Sequence, residues 1–275
     1  MSDLTLQPRA ITPHAILAEK LGTLVAQLED GNASTDVLEL AKECHNLAAP
    51  LDAYLAQCSS QPSNVLNEVE RLTNEQDWDS AFAKAQTDLP LEREMLTGGL
   101  EGQFLKMLVS LTRAKDVLEI GSFTSYASIA MAEALPVEGS LIACEYDPFT
   151  ADFAQQQVDK SEHGKKIKIV VGDAAQTIKQ LAQQGKSFDL IFIDADKTGY
   201  KNYYNMILEH GLLNPNGVIA VDNTLLSGQP YGGASPSVNG KAVDAFNQFV
   251  AADDRVHQVM IPLRDGITLI QLAQH

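Results

Sequence analysis

Residues 116–147, DVLEIGSFTSYASIAMAEALPVEGSLIACEYD, decide the fold of this chain of 275 residues. An apolar run at 116–121 is followed by an alanine-rich helical pattern and then by a second apolar run at 140–147. Short apolar runs bounded by turn residues are typical of strands, and a helix between two of them is typical of parallel pairing. The stretch therefore predicts two parallel strands with a helix packed against them.

The same alternation continues to the C-terminus. Five further apolar runs follow, and helical patterns separate the first six of the seven runs; the five lie at 166–173, 188–195, 217–223, 256–263 and 266–273. The last two are joined only by Arg264-Asp265, which predicts an antiparallel hairpin at the sheet edge. We therefore predict an α/β fold with a seven-stranded, mostly parallel sheet, helices on both faces and a C-terminal antiparallel hairpin.

The first 90 residues show helical patterns and no strand pattern. Thr12-Pro13 offers a capping residue followed by a proline, as at many helix starts. A second helix begins after a cap at Ser34 or Thr35, and an acidic third helix follows the connector at 61–63. We predict a helical N-terminal extension over residues 1–90 and an α/β domain over residues 91–275.

The charge of the chain excludes some partners. It carries 20 Lys and Arg against 36 Asp and Glu, a net charge of −16. Such an acidic protein repels phosphates, so we predict neither nucleic-acid binding nor docking on an anionic membrane. Residues 1–90 account for −9 of this charge, which indicates a solvated helical surface.

Cysteine usage and the N-terminus bear on the compartment. The three cysteines, Cys44, Cys58 and Cys144, are odd in number and lack a C-x-x-C spacing, which predicts reduced thiols without zinc or a disulfide framework. No apolar run is long enough for a signal peptide or a membrane span. We expect a soluble, cytoplasmic protein.

The carboxyl ends of the first three predicted strands suit a nucleoside ligand, since ligands of open α/β sheets bind there. Glu119 and Gly121 end the first strand, and the absence of a G-x-G-x-x-G fingerprint argues against an NAD- or FAD-dependent oxidoreductase. Glu145 ends the second and is either a ribose acceptor or a solvated carboxylate. Asp173 ends the third and either flanks an adenine or caps the next helix.

The strongest signal follows the fourth and fifth predicted strands. FDLIFIDADK places Asp194 and Lys197 at one strand end, and GVIAVDN places Asp222 and Asn223 at the next. Adjacent parallel strands lie about 5 Å apart, so these groups are predicted to converge. Oxygen ligands of this kind suit Mg²⁺, and we predict a site for Mg²⁺ or another divalent cation at Asp194, Asp222 and Asn223.

Four motifs make the α/β domain resemble the cation-dependent class I O-methyltransferases of the caffeoyl-CoA and catechol type, which have a Rossmann-like fold. They are EGQFLKML (101–108), DADK (194–197), DNTLLSG (222–228) and RDGITL (264–269). The resemblance implies S-adenosylmethionine (SAM) as cofactor, Lys197 as catalytic base and Asp194 as a metal ligand in catalysis. The SAM contacts that it implies are Thr97, Glu119, Gly121, Ser122, Glu145 and Ala174.

Two residues depart from the family pattern G-x-x-T-G-Y-S after the first strand. Ser125 replaces the second glycine, and Ala127 replaces the serine that binds the methionine carboxylate of SAM. A side chain at position 125 forbids backbone conformations that glycine allows. Either Ser125 or Ser128 is a candidate for supplying the lost hydroxyl. Weakened SAM binding and a non-catalytic binding protein remain alternatives.

The extension is similar to that of cyanobacterial O-methyltransferases of mycosporine biosynthesis. The similarity lies in ITPHAIL (11–17), LDAYLAQCSSQPS (51–63), Asp77-Trp78 and LEREMLTGGLEGQ (91–103). It implies the enediol demethyl-4-deoxygadusol as methyl acceptor, with another catechol or phenylpropanoid as the alternative, and a homodimer. The expected mechanism has the metal chelate two neighbouring oxygens of the acceptor and Lys197 remove a proton, after which the oxyanion attacks the SAM methyl group.

The features outside these motifs either have two alternative roles or are predicted to be structural. Trp78 either caps the substrate pocket or anchors the core, and the glycine-rich segment 229–240 either covers the substrate or connects elements. The tyrosines after DADK recur at near-helical spacing, which favours packing; they are Tyr200, Tyr203 and Tyr204. The six histidines show no ligand spacing and are taken as structural or surface residues.

Overall fold

The computed structural model describes residues 9–31, 33–232 and 235–273. His275 and part of the 229–240 segment, Gly233-Ala234, lie outside the described residues. Seven strands form one sheet in the order β3-β2-β1-β4-β5-β7-β6. They are β1 (Asp116–Ile120), β2 (Ser140–Glu145), β3 (Ile167–Val171), β4 (Phe188–Ile193), β5 (Leu213–Val221), β6 (Val256–Ile261) and β7 (Ile267–Leu272).

The strand directions confirm the predicted fold class. β1 to β5 run parallel, whereas β7 pairs antiparallel with both β5 and β6. The described ranges also contain eleven α-helices. They are α1 (Pro13–Asp30), α2 (Thr35–Ala48), α3 (Leu51–Gln57), α4 (Asn64–Glu75), α5 (Trp78–Ala83), α6 (Gly98–Thr112), α7 (Tyr126–Ala134), α8 (Pro148–Val158), α9 (Ala174–Gln183), α10 (Tyr200–Glu209) and α11 (Val238–Ala251).

The observed strand boundaries differ from the predicted ones in an informative way. All seven strands end one or two residues earlier than predicted, so Asp173, Asp194 and Asp222 lie in the turns that follow β3, β4 and β5. β5 begins at Leu213 rather than at 217, because Leu213 still pairs with Phe188 across a register shift. The Asn-Pro-Asn-Gly sequence that suggested a turn is thus accommodated within an irregular strand.

Apolar layers cover both faces of the sheet, as expected for buried parallel strands. One layer joins alternate strand residues such as Val117 and Phe192 to α4, α6 and α7. The other joins residues such as Leu118 and Ile193 to α9, α10 and α11. Burying one such side chain stabilises the fold by roughly 1.5–3 kcal/mol, so the sheet holds its carboxyl-terminal edge rigidly in place.

The N-terminal helices begin where the sequence predicts. Thr12 caps α1 by accepting from the N–H of Ala15, and Ser63 caps α4 in the same way. Two residues of α4, Leu66 and Val69, are buried in the main core, whereas α1 has no buried residue. No helix in the described ranges is long and apolar enough to cross a membrane.

Trp78 is an anchor of the core. Its ring is buried and packs against Phe123, Phe149 and Phe153, with centroid distances of 5.0, 6.5 and 5.7 Å. Its indole N–H donates to the carbonyl of Thr73. Because Phe123 belongs to the turn after β1, this tryptophan supports a turn that carries predicted cofactor residues.

Candidate active site

The turn after β1, which we call the glycine turn (residues 121–125), lies directly against the end of β4. Gly121 has a φ of +91°, and a Cβ there would overlap the backbone of Asp194. Only glycine fits this approach, because any side chain would push the two strand ends apart. The geometry thus brings predicted SAM residues of β1 beside predicted metal residues of β4.

Two buried glutamates flank the glycine turn, and each is held by its own hydrogen bonds. Glu119 accepts from the Ser128 hydroxyl, and burial raises its pKa to about 8. Glu145 accepts from the N–H groups of Phe123 (2.7 Å) and Asp147 (3.0 Å), and burial raises its pKa to about 7. Glu145 is therefore positioned at the β2 end, with its carboxylate oriented by the backbone.

The departures from the family pattern have visible structural consequences. Ser125 adopts a left-handed conformation with φ of 62° at the start of α7, a region that favours glycine. The hydroxyls of Ser122 and Ser125 are buried and have no hydrogen-bond partner. Ser128 instead donates to Glu119, so of the two serines considered for the missing hydroxyl, Ser125 is the unpaired one.

Three other predicted SAM residues lie at the starts of two helices, α9 and α6. Asp173 caps α9 by accepting from the N–H of Ala175 (2.8 Å), in line with its alternative role as a helix cap, and Ala174 is the first residue of α9. Thr97 is buried and precedes α6, and its carbonyl accepts from Arg264.

Lys197 links the ends of β4 and β5. Its ammonium donates to Asp194 Oδ1 (2.9 Å) and to the Tyr200 hydroxyl (2.7 Å), which in turn donates to the carbonyl of Asp222 (3.1 Å). Burial alone would lower the pKa of Lys197, but the charges of Asp194 and Asp222 and the contact with Tyr200 together outweigh it and raise the pKa. In this arrangement Lys197 is an ammonium, so a role as base requires that another cation share the charge of Asp194.

Three carboxylates, which we call the acid cluster, meet beside Lys197: Asp194, Asp222 and Glu101. Burial, and then mutual repulsion, raises the pKa of Asp222 and of Glu101. Arg264 lies 3.8 Å from Glu101 Oε2 and offsets part of this charge. Asp222 Oδ1 and Glu101 Oε1 are nevertheless buried, and neither has a hydrogen-bond partner in the described part of the chain.

The unpartnered carboxylate oxygens of the acid cluster are suited to a divalent cation. Buried carboxylate oxygens without a partner are costly unless a positive charge compensates them. Across residues 9–31, 33–232 and 235–273, no group of three His, Cys, Asp or Glu side chains has the spacing of a metal site. The predicted ligand set has only two carboxylates, and its third member is the amide of Asn223, which has a φ of +53° in the turn after β5.

The β6–β7 turn holds the β5 turn in place. The N–H groups of Thr224 and Leu225 donate to the carbonyls of Gly266 and Asp265 (3.0 and 2.8 Å). The carboxylate of Asp265 also accepts from the N–H of Ser227 (2.6 Å). The RDG motif therefore orients the turn that carries Asn223.

The structure thus gathers the predicted site residues at one sheet edge and adds three that the sequence reasoning did not assign. Glu101 and Arg264 lie in the quoted EGQ and RDG motifs, which was the available signal. Tyr200 was predicted to pack, and its ring does contact Phe246, but its hydroxyl also joins the Lys197 network. No sequence pattern showed that hydroxyl contact.

An open parallel sheet ending in an antiparallel pair, with a glycine turn after β1 and carboxylates at the ends of β2, β4 and β5, has the layout of Rossmann-like methyltransferases. A family model described as O-methyltransferase matches residues 57–273. The chain belongs to this family and is a SAM-dependent O-methyltransferase.

Relatives and solved structures agree with this assignment. The caffeoyl-CoA O-methyltransferase of Eucalyptus gunnii is 38% identical over 189 residues, which is 66% of this chain and 75% of that protein. A probable caffeoyl-CoA O-methyltransferase of Dictyostelium discoideum is 36% identical over 64% of this chain and 77% of its own length.

Two solved structures hold the cofactor or its product. An SAH-bound methyltransferase of Podospora anserina is 26% identical, with a TM-score of 0.72 over 83% of this chain and 96% of that one. The tomaymycin O-methyltransferase of Streptomyces achromogenes, in complex with SAM, is 26% identical, with a TM-score of 0.67 over 82% of this chain and 96% of that one.

Proposed function

We propose that this enzyme methylates one of two neighbouring hydroxyl oxygens on a small catechol or enediol, with a divalent cation held by Asp194, Asp222 and Asn223. The observation that carries the proposal is the buried, unpartnered Oδ1 of Asp222 in the acid cluster. When bound, the cation supplies positive charge that favours the ionised form of the reacting hydroxyl.

The residues around the glycine turn would hold SAM. Glu145 would accept from the ribose hydroxyls, and Ser122 and Ser125 offer free hydroxyls at the start of α7, where a carboxylate is favoured. Asp173 and Ala174 lie at the β3 end on the adenine side, and Thr97, Glu119 and Gly121 complete the predicted set. These side chains would fix the methyl group in line with the acceptor oxygen, an alignment that provides most of the catalysis.

Lys197 is the proposed base. Its side chain is partly buried, and its ammonium is held by Asp194 and Tyr200. Its pKa is raised by the charge of Asp194, and it can accept a proton only after that charge is shared. Tyr200 would then position the neutral amine towards the acceptor hydroxyl.

For the acceptor itself we propose demethyl-4-deoxygadusol of mycosporine biosynthesis. The support is the motif similarity described above, of which ITPHAIL (11–17) lies before residue 57, where the family match begins. The alternative acceptor is a catechol of the phenylpropanoid type, as in the names of the Eucalyptus and Dictyostelium relatives.

We also propose that the enzyme is a cytoplasmic homodimer and that its two domains divide at residue 90. Exposed apolar side chains of α2, such as Leu40 and Leu47, would suit an interface between protomers.

The testing experiment measures methyl transfer from SAM to demethyl-4-deoxygadusol and to catechol, first with Mg²⁺, then in EDTA, then with Mg²⁺ restored. We expect turnover with Mg²⁺, loss in EDTA and recovery. Calorimetry with SAM in EDTA is the control. None of the predicted SAM residues is a predicted metal ligand, so SAM should still bind. Undiminished turnover in EDTA would remove the metal role.

The second candidate function is a non-catalytic SAM-binding protein. It is favoured by Ser125, whose left-handed backbone is strained where the family has glycine, and by Ala127. Its signature would be SAM binding by calorimetry without methyl transfer to either acceptor in Mg²⁺, Mn²⁺ or Zn²⁺.

A further inference from the structure

A cavity of about 770 Å³ lies between the N-terminal helices and the methyltransferase domain. Side chains from the segment before α1 and from α1, α2 and α3 line most of it, and Glu70, Leu100 and Arg264 complete it. The lining residues between 9 and 52 precede residues 57–273, where the family model matches. Most of this cavity is therefore built by a segment outside the part shared with the family.

The segment that enters α1 is fixed to the rim of the candidate active site. The Ser227 hydroxyl, in the turn after β5, donates to the carbonyl of Ile11 (2.6 Å). The N–H of Arg9 donates to Glu94 Oε1 (3.3 Å), shortly before Thr97. Arg264 lines the cavity on one side and contacts Thr97 and Glu101 on the other, so the cavity adjoins the acid cluster.

The charges of the lining leave it acidic. Its two arginines are paired with acids outside the lining: Arg9 with Glu92, and Arg264 with Glu101. Three further carboxylates, those of Glu19, Asp52 and Glu70, also face the cavity. Groups of like charge within a few ångströms repel each other, so this cavity disfavours an anionic ligand.

His14 offers an acceptor for a hydroxyl group. Its Nε2 lies 2.6 Å from the carbonyl oxygen of Ala48, which can only accept, so Nε2 carries the proton. In the neutral ring, Nδ1 is then an acceptor. This atom is buried, has no hydrogen-bond partner among the described residues and lies 3.7 Å from Asp52 Oδ1.

We propose that this cavity holds the part of the methyl acceptor that lies away from the reacting oxygens, and that it selects small, uncharged, hydroxyl-bearing acceptors and rejects acyl-CoA thioesters. The proposal rests on the proposed methyltransferase function and narrows its substrate class. Coenzyme A carries several phosphate charges, which three carboxylates would repel, whereas a neutral tail can donate a hydroxyl to His14.

The test compares two acceptors that share one catechol ring: 3,4-dihydroxycinnamyl alcohol, with a neutral hydroxyl tail, and caffeoyl-CoA. Calorimetry is performed on the full chain with Mg²⁺ and S-adenosylhomocysteine, so binding is measured without turnover. We expect the alcohol to bind at least about tenfold more tightly, a difference of about 1.4 kcal/mol. Equal binding, tighter binding of caffeoyl-CoA or binding of neither overturns the proposal.

Two matched variants locate the binding. Ala18 lines the cavity, and Ala18→Phe fills part of it, whereas Ala26→Phe adds the same ring on the exposed face of α1. We expect Ala18→Phe to weaken alcohol binding at least about tenfold, with unchanged affinity for S-adenosylhomocysteine, and Ala26→Phe to change neither. Ala15→Leu repeats the test with a smaller side chain, which guards against misfolding. Wild-type binding by all these variants overturns the proposal.

A charge variant tests the rejection of coenzyme A. The double variant Glu19→Gln/Glu70→Gln should strengthen caffeoyl-CoA binding about threefold or more, and less so at high salt. Asp36→Asn/Glu43→Gln removes the same charge from exposed positions of α2 that do not line the cavity and should change nothing. Equal effects of both double variants would contradict the proposal.

Methyl transfer is assayed separately, so that the two proposals can fail independently. Cavity-dependent binding without methyl transfer refutes the proposed function alone. Methyl transfer to caffeoyl-CoA that is at least as efficient as transfer to the alcohol refutes this inference alone.

Discussion

The glycine turn and the acid cluster lie side by side, yet the carboxylates of the two regions differ in how they are paired. Around the glycine turn, Glu119 and Glu145 each accept hydrogen bonds from the chain itself. In the acid cluster, three carboxylates share two cations, Lys197 and Arg264, and one oxygen each of Asp222 and Glu101 has no partner.

The two regions are therefore expected to respond differently when a ligand binds. A carboxylate oriented by backbone donors is fixed before the ligand arrives, so binding loses little conformational entropy. A crowded group of buried carboxylates is destabilised until a positive charge arrives. Changes in the acid cluster should therefore affect both stability and turnover, whereas changes around the glycine turn should affect mainly cofactor affinity.

The largest expected effect is that of Asp222→Asn. Loss of one cation ligand should lower methyl transfer by about 100-fold or more, since a bound metal contributes several kcal/mol to catalysis. The same substitution removes one of the repelling buried charges, so thermal stability in EDTA should rise. Methylation assays and thermal unfolding in EDTA measure the two changes.

Asp116→Asn is the matched control for this prediction. Asp116 begins β1 at the opposite end of the sheet from the site, where its carboxylate accepts from the Ser140 hydroxyl. We expect neither change there. A variant Asp222→Asn that turned over at the wild-type rate, or that unfolded at a lower temperature in EDTA, would contradict the comparison between the two regions.

A smaller effect concerns pH and the affinity for SAM. Burial raises the pKa of Glu145 to about 7, and only the ionised carboxylate accepts from both ribose hydroxyls. As the pH falls through 7 the group gains a proton, so SAM affinity should fall, by about tenfold between pH 8 and pH 6. Calorimetry at pH 8, 7 and 6 measures this change. Glu145→Gln should bind SAM more weakly with a flat pH profile; a wild-type profile in that variant would exclude Glu145 as the titrating group.

The fold was predictable because its signals are local. Apolar runs and helical periodicity set the elements, and the short Arg264-Asp265 turn set the antiparallel pair. The convergence of Asp194 with Asp222 was also predictable, since strand ends meet at one edge. The contact of Glu101 with that cluster was not, because α6 reaches it through tertiary packing. The same holds for the Tyr200 hydroxyl, whose direction depends on side-chain torsions rather than on helical spacing.

Ser125→Gly should give the smallest effect and bears on the glycine turn alone. A left-handed serine costs roughly 1–2 kcal/mol, and glycine removes that cost but adds about 0.5–1 kcal/mol of backbone entropy. The variant should therefore be up to about 1 kcal/mol more stable, in denaturant unfolding without ligand. Its SAM affinity should nevertheless fall several-fold, because a free buried hydroxyl at the α7 N-terminus is lost.

Ser110→Gly is the matched control, because it replaces a serine by glycine at a position without left-handed backbone. Ser110 is an exposed residue in the helical backbone of α6, where glycine is unfavourable. Ser110→Gly should lower stability by about 0.5–1 kcal/mol and leave SAM affinity unchanged. If Ser125→Gly were destabilising as well, the left-handed serine would not be a source of strain. If its SAM affinity stayed at the wild-type value, the glycine turn would bind the cofactor without that hydroxyl, through backbone donors and the Glu145 carboxylate.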